Sequence, residues 1–367
     1  LRDVYEVIQS SGSGRYDLIR MDVAWMDELA KKLFRPLHQI PFDWDGLLAQ
    51  TLPEFGDSYT SVNGERICVP YDPSTQLMFY RRDLFCDPTY KRMYFEAYRR
   101  ELEVPKSFED YNRIAGFFTR SLNPASPVQY GTTVAIGNVV VSPSEFLPRL
   151  FEQGGKLFNT KGRITVDTPE ALTALKNYRE TYACSDRTVH DIWKNVLEGF
   201  ADGSAAMTVV FINYASHILN SKMSSIAGKL GFAPVPGGKP LSGGGVVGIT
   251  RSCAHPETAC AFLSWLYSNQ TAPAFTLLGG LSPCRSAYSN RDIKERYPWL
   301  SAARRSFPSA QRRSGSAYYS NFSELQMENI LAAYVQRAVL GVCTPEEALA
   351  QAQAEMDAHF TANSEFL

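Results

Sequence analysis

An α/β protein of two lobes, each a mixed sheet flanked by helices with a cleft between them, is what this sequence predicts. Three observations carry the expectation. The chain has 367 residues, too many for one ordinary core, and suits two bodies of roughly 150–200 residues each. Phe200–Phe211, FADGSAAMTVVF, reads as a helix end turning through Asp202-Gly203-Ser204 into a buried strand. Gly231–Thr250, GFAPVPGGKPLSGGGVVGIT, reads as a strand-like piece, a Pro/Gly-rich loop and a further strand, Val246–Thr250, expected to be a return crossing between lobes.

Composition narrows the function classes. Hydrophobic residues make up 44% and charged residues 20% of the chain, ordinary for a globular domain. A formal net charge of −1 gives no basis for binding nucleic acid or an anionic membrane directly. No apolar run approaches the roughly 18 residues of a membrane span. The seven cysteines (68, 86, 184, 253, 260, 284 and 343) are odd in number and scattered, with no CxxC, which excludes a small disulfide scaffold and a zinc ribbon. They read as small buried apolar residues and lean toward a reducing compartment, because unpaired thiols scramble in oxidising ones. The five histidines do not cluster, and Cys253, His255 and Cys260 flank a helix start rather than stand at ligand spacing. Gly243–Gly248 satisfies GxGxxG, but a loop precedes it and a strand follows, the wrong context for a dinucleotide. No Walker loop, HExxH or GxSxG is present. No cofactor or metal is expected.

Leu1–Gln9 reads as a helix with a Gly-rich turn, Ser11–Gly14, after it, and a first strand is expected upstream of Leu1. Tyr16–Met21 is β-leaning, and Asp22 and Trp25 follow its carboxyl end, where ligands collect in open α/β sheets. Equally, Asp22 could cap the next helix and Trp25 could pack in the core. Ile67–Phe85 reads as strand, Pro-bounded loop, strand, with Tyr71, Asp72 and Ser74 in the loop; Pro-Tyr-Asp-Pro is also good surface-turn chemistry. Ser107 caps a helix with an apolar face of Tyr111, Ile114, Ala115 and Phe118. Leu122–Val128 is a candidate first crossing. Thr168-Pro169 opens a helix facing inward with Ala171, Leu175, Tyr178 and Tyr182. Trp193–Phe200 is a helix, and Asn213 and Tyr214 lie just past the strand Ala205–Phe211. Pro256 starts a helix whose core face is Ala259, Phe262, Leu263 and Leu266, with Trp265 packed beside it. Gly279–Tyr288 is a turn offering Arg285, a paired hydrogen-bond donor or an interlobe ion pair. Tyr297-Pro298-Trp299 sets an aromatic beside a rigid proline. Arg304, Arg305, Arg312 and Arg313 form a solvated basic run. Thr344-Pro345-Glu346-Glu347 is a capping box.

Several of these segments, in this order, resemble the carbohydrate-binding solute receptors of ATP-binding-cassette importers, the maltose-binding-protein-like family of extracellular solute-binding proteins. The segments are the "VP…YR-D-LF" stretch within Ile67–Phe85, the "D-x-P-E-A…AL" stretch within Asn159–Tyr178, Phe200–Phe211, GGLSPCRSAY at Gly279–Tyr288, and the terminal TPEEALA. The resemblance spans about Tyr16 to Phe360. It implies a periplasmic-binding-protein-like fold of the second type, non-enzymatic sugar capture in the interlobe cleft, and an extracytoplasmic location. It places the loop at Tyr71 toward the cleft. Family members commonly carry a sugar-stacking tryptophan after a glycine near Phe211, where this chain has Phe211-Ile212-Asn213-Tyr214. Aromatic residues at 12% suit sugar faces.

The candidate binding set is Asp22, Trp25, Tyr71, Asp72 and Ser74 from one lobe, and Asn213, Tyr214, Gly244, Gly245, Arg285 and Trp299 from the other. The expected division is 1–121 plus 248–283 for lobe one and 122–247 plus 284–367 for lobe two. Expected partners are a carbohydrate and a membrane permease, with the chain itself monomeric. The alternative is a cytoplasmic sugar-sensing domain of a transcription regulator, touching DNA only through a fused upstream head; the cysteines favour it. A glycoside hydrolase on a related scaffold is the enzyme alternative.

Overall fold

A computed structural model describes residues 16–137, 141–189, 193–220, 222, 224–312 and 318–363. The expected helix Leu1–Gln9, the turn Ser11–Gly14, His190 and Arg313 lie outside the described residues.

Six strands build the two sheets: β1 (Leu18–Asp22), β2 (Val69–Arg81), β3 (Tyr130–Thr132), β4 (Ala205–Phe211), β5 (Leu230–Ala233) and β6 (Ser242–Ile249). The two sheets share β2, a strand of 13 residues. Its first half pairs antiparallel with β6, from Val69↔Val247 to Thr75↔Ser242. Its second half pairs antiparallel with β4, from Gln76↔Phe211 to Tyr80↔Met207, and with β5, from Met78↔Ala233 to Arg81↔Leu230. β1 lies outside β6 and β3 runs parallel to β4. With helices flanking both sheets, the chain adopts a two-lobed α/β architecture.

The strand–loop–strand expected over Ile67–Phe85 is instead one continuous strand. Pro70 opposes Val246 and Asp72 opposes Gly245, so Tyr71 is the extra residue of a bulge. Pro70 and Pro73 cannot donate to a ladder, and a bulge absorbs that loss without ending the strand.

The helices pack on these strands. α1 (Phe108–Phe118) is capped by Ser107, whose hydroxyl accepts from the Asp110 N–H, and it buries Tyr111, Ile114, Ala115 and Phe118. α2 (Val141–Glu152), α3 (Pro169–Ala183) and α4 (Trp193–Ala201) follow, with Thr168 capping α3. α5 (Pro256–Tyr267) departs from the expected face: Ala259, Cys260, Leu263 and Tyr267 are buried, whereas Phe262 and Trp265 are 45% and 58% exposed. The Tyr267 hydroxyl donates to the Pro70 carbonyl at the bulge, and that anchor fixes the helix's rotation. α6 (Arg285–Ser289) and α7 (Trp299–Ser306) precede α8 (Glu324–Val339) and α9 (Pro345–His359), and the expected capping box at Thr344 and Glu347 forms.

Leu122–Val128, expected as a crossing, joins two elements of the same half: α1 packs on β3, and Val128 is buried in the cluster that includes Phe108 and Phe118. The chain passes between the sheets elsewhere. β2 exchanges partners between Thr75 and Gln76, β6 begins at Ser242, and Gln311 bridges Leu241 beside them. Residues 284–309, expected with lobe two, lie against the first sheet's side: Cys284 forms a backbone β-bridge with Thr51, Leu52 N–H donates to the Pro283 carbonyl, and Phe307 meets Phe55 edge-on with ring centres 4.9 Å apart.

Candidate ligand-binding cleft

A cavity of about 180 Å³ opens where β2 exchanges partners; its walls include Asp22, Trp25, Trp193, Asn213, Tyr214 and Gly244. β1 delivers Asp22 at its carboxyl end. One oxygen of Asp22 accepts from the Ala24 N–H at 3.1 Å, so it caps the short turn Val23–Trp25 and holds Trp25 at the cavity wall. Capping and a site at the strand end are thus compatible roles for one carboxylate.

Arg20 also lines the cavity. Its guanidinium donates twice to Asp72, Nε to Oδ1 and Nη2 to Oδ2, both at 3.1 Å, and stands 3.8 Å from Asp22. The paired, planar geometry fixes Arg20 at the rim. Glycines make that approach possible. A Cβ on Gly245 would fall 2.3 Å from Arg20 Nε, and one on Gly244, where φ is +86°, would fall 2.1 Å from the Asp72 carbonyl oxygen. The Tyr59 hydroxyl supports this glycine run from below, donating to the Gly243 carbonyl at 2.8 Å.

The opposite wall comes from β4 and the helices near it. Phe211 meets Trp193 edge-on, ring centres 5.7 Å apart. Just past Phe211 the chain turns through Ile212–Tyr214, and Asn213 Oδ1 accepts from the buried Ser74 hydroxyl at 3.1 Å. Tyr214 has its phenol pushed up, first by burial and then by the Asp22 charge, against the opposing effect of Arg20. Ser144, from the first turn of α2, completes this side; its carbonyl accepts from Gln76 Nε2 at 2.9 Å. Aromatic surfaces alternate here with hydroxyl, amide, carboxylate and guanidinium groups, which suits a ligand with apolar faces and a polar rim.

Asp22, Trp25, Asn213, Tyr214 and Gly244 therefore surround one cavity, and Ser74, Asp72 and Gly245 brace it. Three expected residues sit elsewhere. Tyr71, pushed out by the bulge, packs toward Phe275 at 6.0 Å. Arg285 Nε donates to the Thr51 carbonyl at 2.8 Å and its N–H to Gln50, which ties the start of α6 to a neighbouring loop rather than to the cleft or to an ion pair across lobes. Trp299 is buried, 5% exposed, on a different cavity. Arg20, Ser144, Trp193 and Ser242 were not foreseen. Arg20 and Ser242 each stand two residues from an expected one, Asp22 and Gly244, whereas Ser144 and Trp193 carry no local signal.

Residues 6–301 match the family model described as bacterial extracellular solute-binding protein, and the chain belongs to that family. Over 359 residues it is 20% identical to a probable amino-acid ABC transporter periplasmic-binding protein of Sinorhizobium fredii, covering 95% of this chain and 77% of that one. A 176-residue match to YcjN of Escherichia coli K12 is 26% identical and spans 48% of this chain but only 34% of that protein. Among solved structures, maltose-bound MalE3 of T. maritima superposes with a TM-score of 0.79 at 24% identity, covering 97% of this chain and 88% of that one. A solute-binding protein of Agrobacterium radiobacter K84 in complex with ribitol gives 0.80 at 21% identity, with the same coverage. At these identities the structural matches establish the fold.

Proposed function

We propose that this chain captures a carbohydrate or polyol in the cleft lined by Asp22, Trp25, Trp193 and Asn213 and presents it to the permease of an ABC importer, without transforming it. The observation that carries the reading is the convergence of an aromatic wall and a polar rim from both sheets on the point where β2 changes partners. The solved relatives hold maltose, ribitol, D-mannitol and α-D-tagatose, which makes these sugars the first panel to test.

The lobes, on this reading, divide at 75/76, 241/242 and near 311, where three chain passages lie side by side. Rotation there would trap the guest, and contacts from both lobes are what let a ligand favour the closed state. The family's description supports an extracytoplasmic location. A second reading, a sensing domain in a reducing compartment with a DNA-binding head, draws on the cysteines: all seven are unpaired and five are buried.

Calorimetric titration against the panel tests the first reading, with Trp25→Ala as the control. At least one sugar should bind, and the variant should weaken that sugar about tenfold or more, the loss of one stacking wall. Unchanged affinity in the variant, or turnover of an offered oligosaccharide, would overturn it.

A further inference from the structure

A cavity larger than the cleft opens elsewhere among the described residues. It measures about 720 Å³ and lies on the other face of the shared sheet. The register shows this: Phe211, in the cleft, opposes Gln76, whereas Phe232, in this cavity, opposes Phe79. Side chains alternate along a strand, so residues 76 and 79 point to opposite faces. The walls come from both sides of the molecule, with Leu230 and Phe232 of β5 on one and Leu281, Trp299 and Leu300 on the other.

Three features give the cavity a chemical preference. Its body is apolar and aromatic, of a size typical of small-molecule sites. The indole N–H of Trp299 is buried with no hydrogen-bond partner, a donor that burial makes costly to leave unmatched. The amino end of α7 also faces the cavity at Pro298–Leu300; no side chain caps it and the Leu300 N–H is bonded to the Tyr297 carbonyl, so what it adds is the positive end of the helix dipole. Arg82 and Arg296 stand at the rim, while the one acid there, Glu295, is held by Arg291 at 2.8 Å.

We infer that this back-face cavity, which meets the cleft only at Asn213, is a second ligand site that takes a small molecule with an aromatic or branched apolar body and an anionic head, the head accepting from the Trp299 indole. The inference does not depend on what the cleft holds.

Indole-3-propionate is a suitable probe, titrated calorimetrically and then soaked into crystals. Gly228 lines the cavity from an exposed turn, and a Cβ there meets nothing within 4 Å, so Gly228→Phe adds a ring at the cavity wall with no clash at its Cβ. The expected results are saturable binding to the native chain with density against Trp299, at least tenfold weaker binding to Gly228→Phe, and several-fold weaker binding of the neutral indole-3-propionamide. Trp299→Phe keeps one six-membered ring and removes the donor, and should also weaken binding several-fold, with a melting temperature lowered by the buried volume lost. Absence of saturable binding, density only in the cleft, or equal binding by Gly228→Phe would overturn the site. Equal binding of acid and amide would overturn the anionic head.

Discussion

Gln76→Leu tests the junction on which the cleft depends. Gln76 is buried at the point where β2 changes partners, and it makes two hydrogen bonds to main chain: Nε2 donates to the Ser144 carbonyl at 2.9 Å, and Oε1 accepts from the Leu241 N–H at 3.0 Å. Leucine keeps the volume and removes both. Each buried amide group left unpaired costs about 1–3 kcal/mol, and the apolar side chain returns about 1–2 kcal/mol. With two groups unpaired, the middle of these ranges gives a net loss of about 2.5 kcal/mol. Urea unfolding followed by tryptophan fluorescence reads it as a lower midpoint at unchanged slope. Because Ser144 also lines the cleft, ligand affinity should fall in the same variant. Gln76→Glu keeps the acceptor for Leu241 but sets a carboxylate against the Ser144 carbonyl, and should be at least as damaging at neutral pH. A loss below about 0.5 kcal/mol, the size of an ordinary surface change, would refute the assignment of Gln76 as the tie between the crossings.

Gly244→Ala should fold poorly or lose about 2 kcal/mol or more, because φ is +86° and the new methyl would meet the Asp72 carbonyl; thermal melting checks it. Arg149 donates to Glu145 at 2.9 Å and lies 4.1 Å over the Phe108 ring, both charges buried. Arg149→Met should therefore cost about 3–5 kcal/mol. The Glu145 carboxyl, already pushed up by burial against the Arg149 charge, would rise further without Arg149, so that cost should shrink as pH falls toward 4; adding Glu145→Gln should recover much of it. Burial pushes the Cys68 thiol up to about 12, against the Arg312 charge, and the Cys284 thiol up to about 11, against a bond from Ser282. Unfolded thiols ionise near 9.0, so ionisation favours the unfolded chain above that pH. The thiols' contribution should be flat below pH 9 and become destabilising through pH 11–12, as denaturation midpoints in alkaline buffers would show. In native protein Cys86, the exposed thiol, should react first with a disulfide reagent, Cys343 next and the five buried thiols only on unfolding.

The elements of this fold were legible wherever a local rule settles them. Ser107, Thr168 and Thr344 each accept from a main-chain N–H three residues on, which depends on a few neighbouring residues and nothing distant. The rotation of α5 was not legible, because its apolar residues fit two faces and the choice is made by Tyr267 reaching Pro70, 197 residues away in the chain. Nor was the continuity of β2. Prolines at 70 and 73 read as strand breakers until β6 lies opposite them, Val246 facing Pro70 and Gly245, Gly244 and Gly243 facing Asp72, Pro73 and Ser74, where a stretch without side chains can follow the strand closely past the bulge.

The site divides along the same line. Asp22, Trp25 and Asn213 were accessible because each lies at a strand's carboxyl end or within three residues of it, and the end of a strand is a place that sequence marks. Trp193 and Ser144 reach the cleft through helix packing, and Arg285 and Trp299 are carried away from it by the same kind of packing. The location of the cleft has its own cause. β4 ends at Phe211 opposite Gln76 and bends aside, with Asn213 bonded to Ser74; β6 starts at Ser242 opposite Thr75. One strand thus loses one neighbour and gains another within two residues, and the diverging ends leave a crevice floored by β2. Crevices of this kind form where strand order changes in α/β sheets. Here the glycine run 243–245 keeps its floor low enough for Arg20 and Asp72 to meet across it.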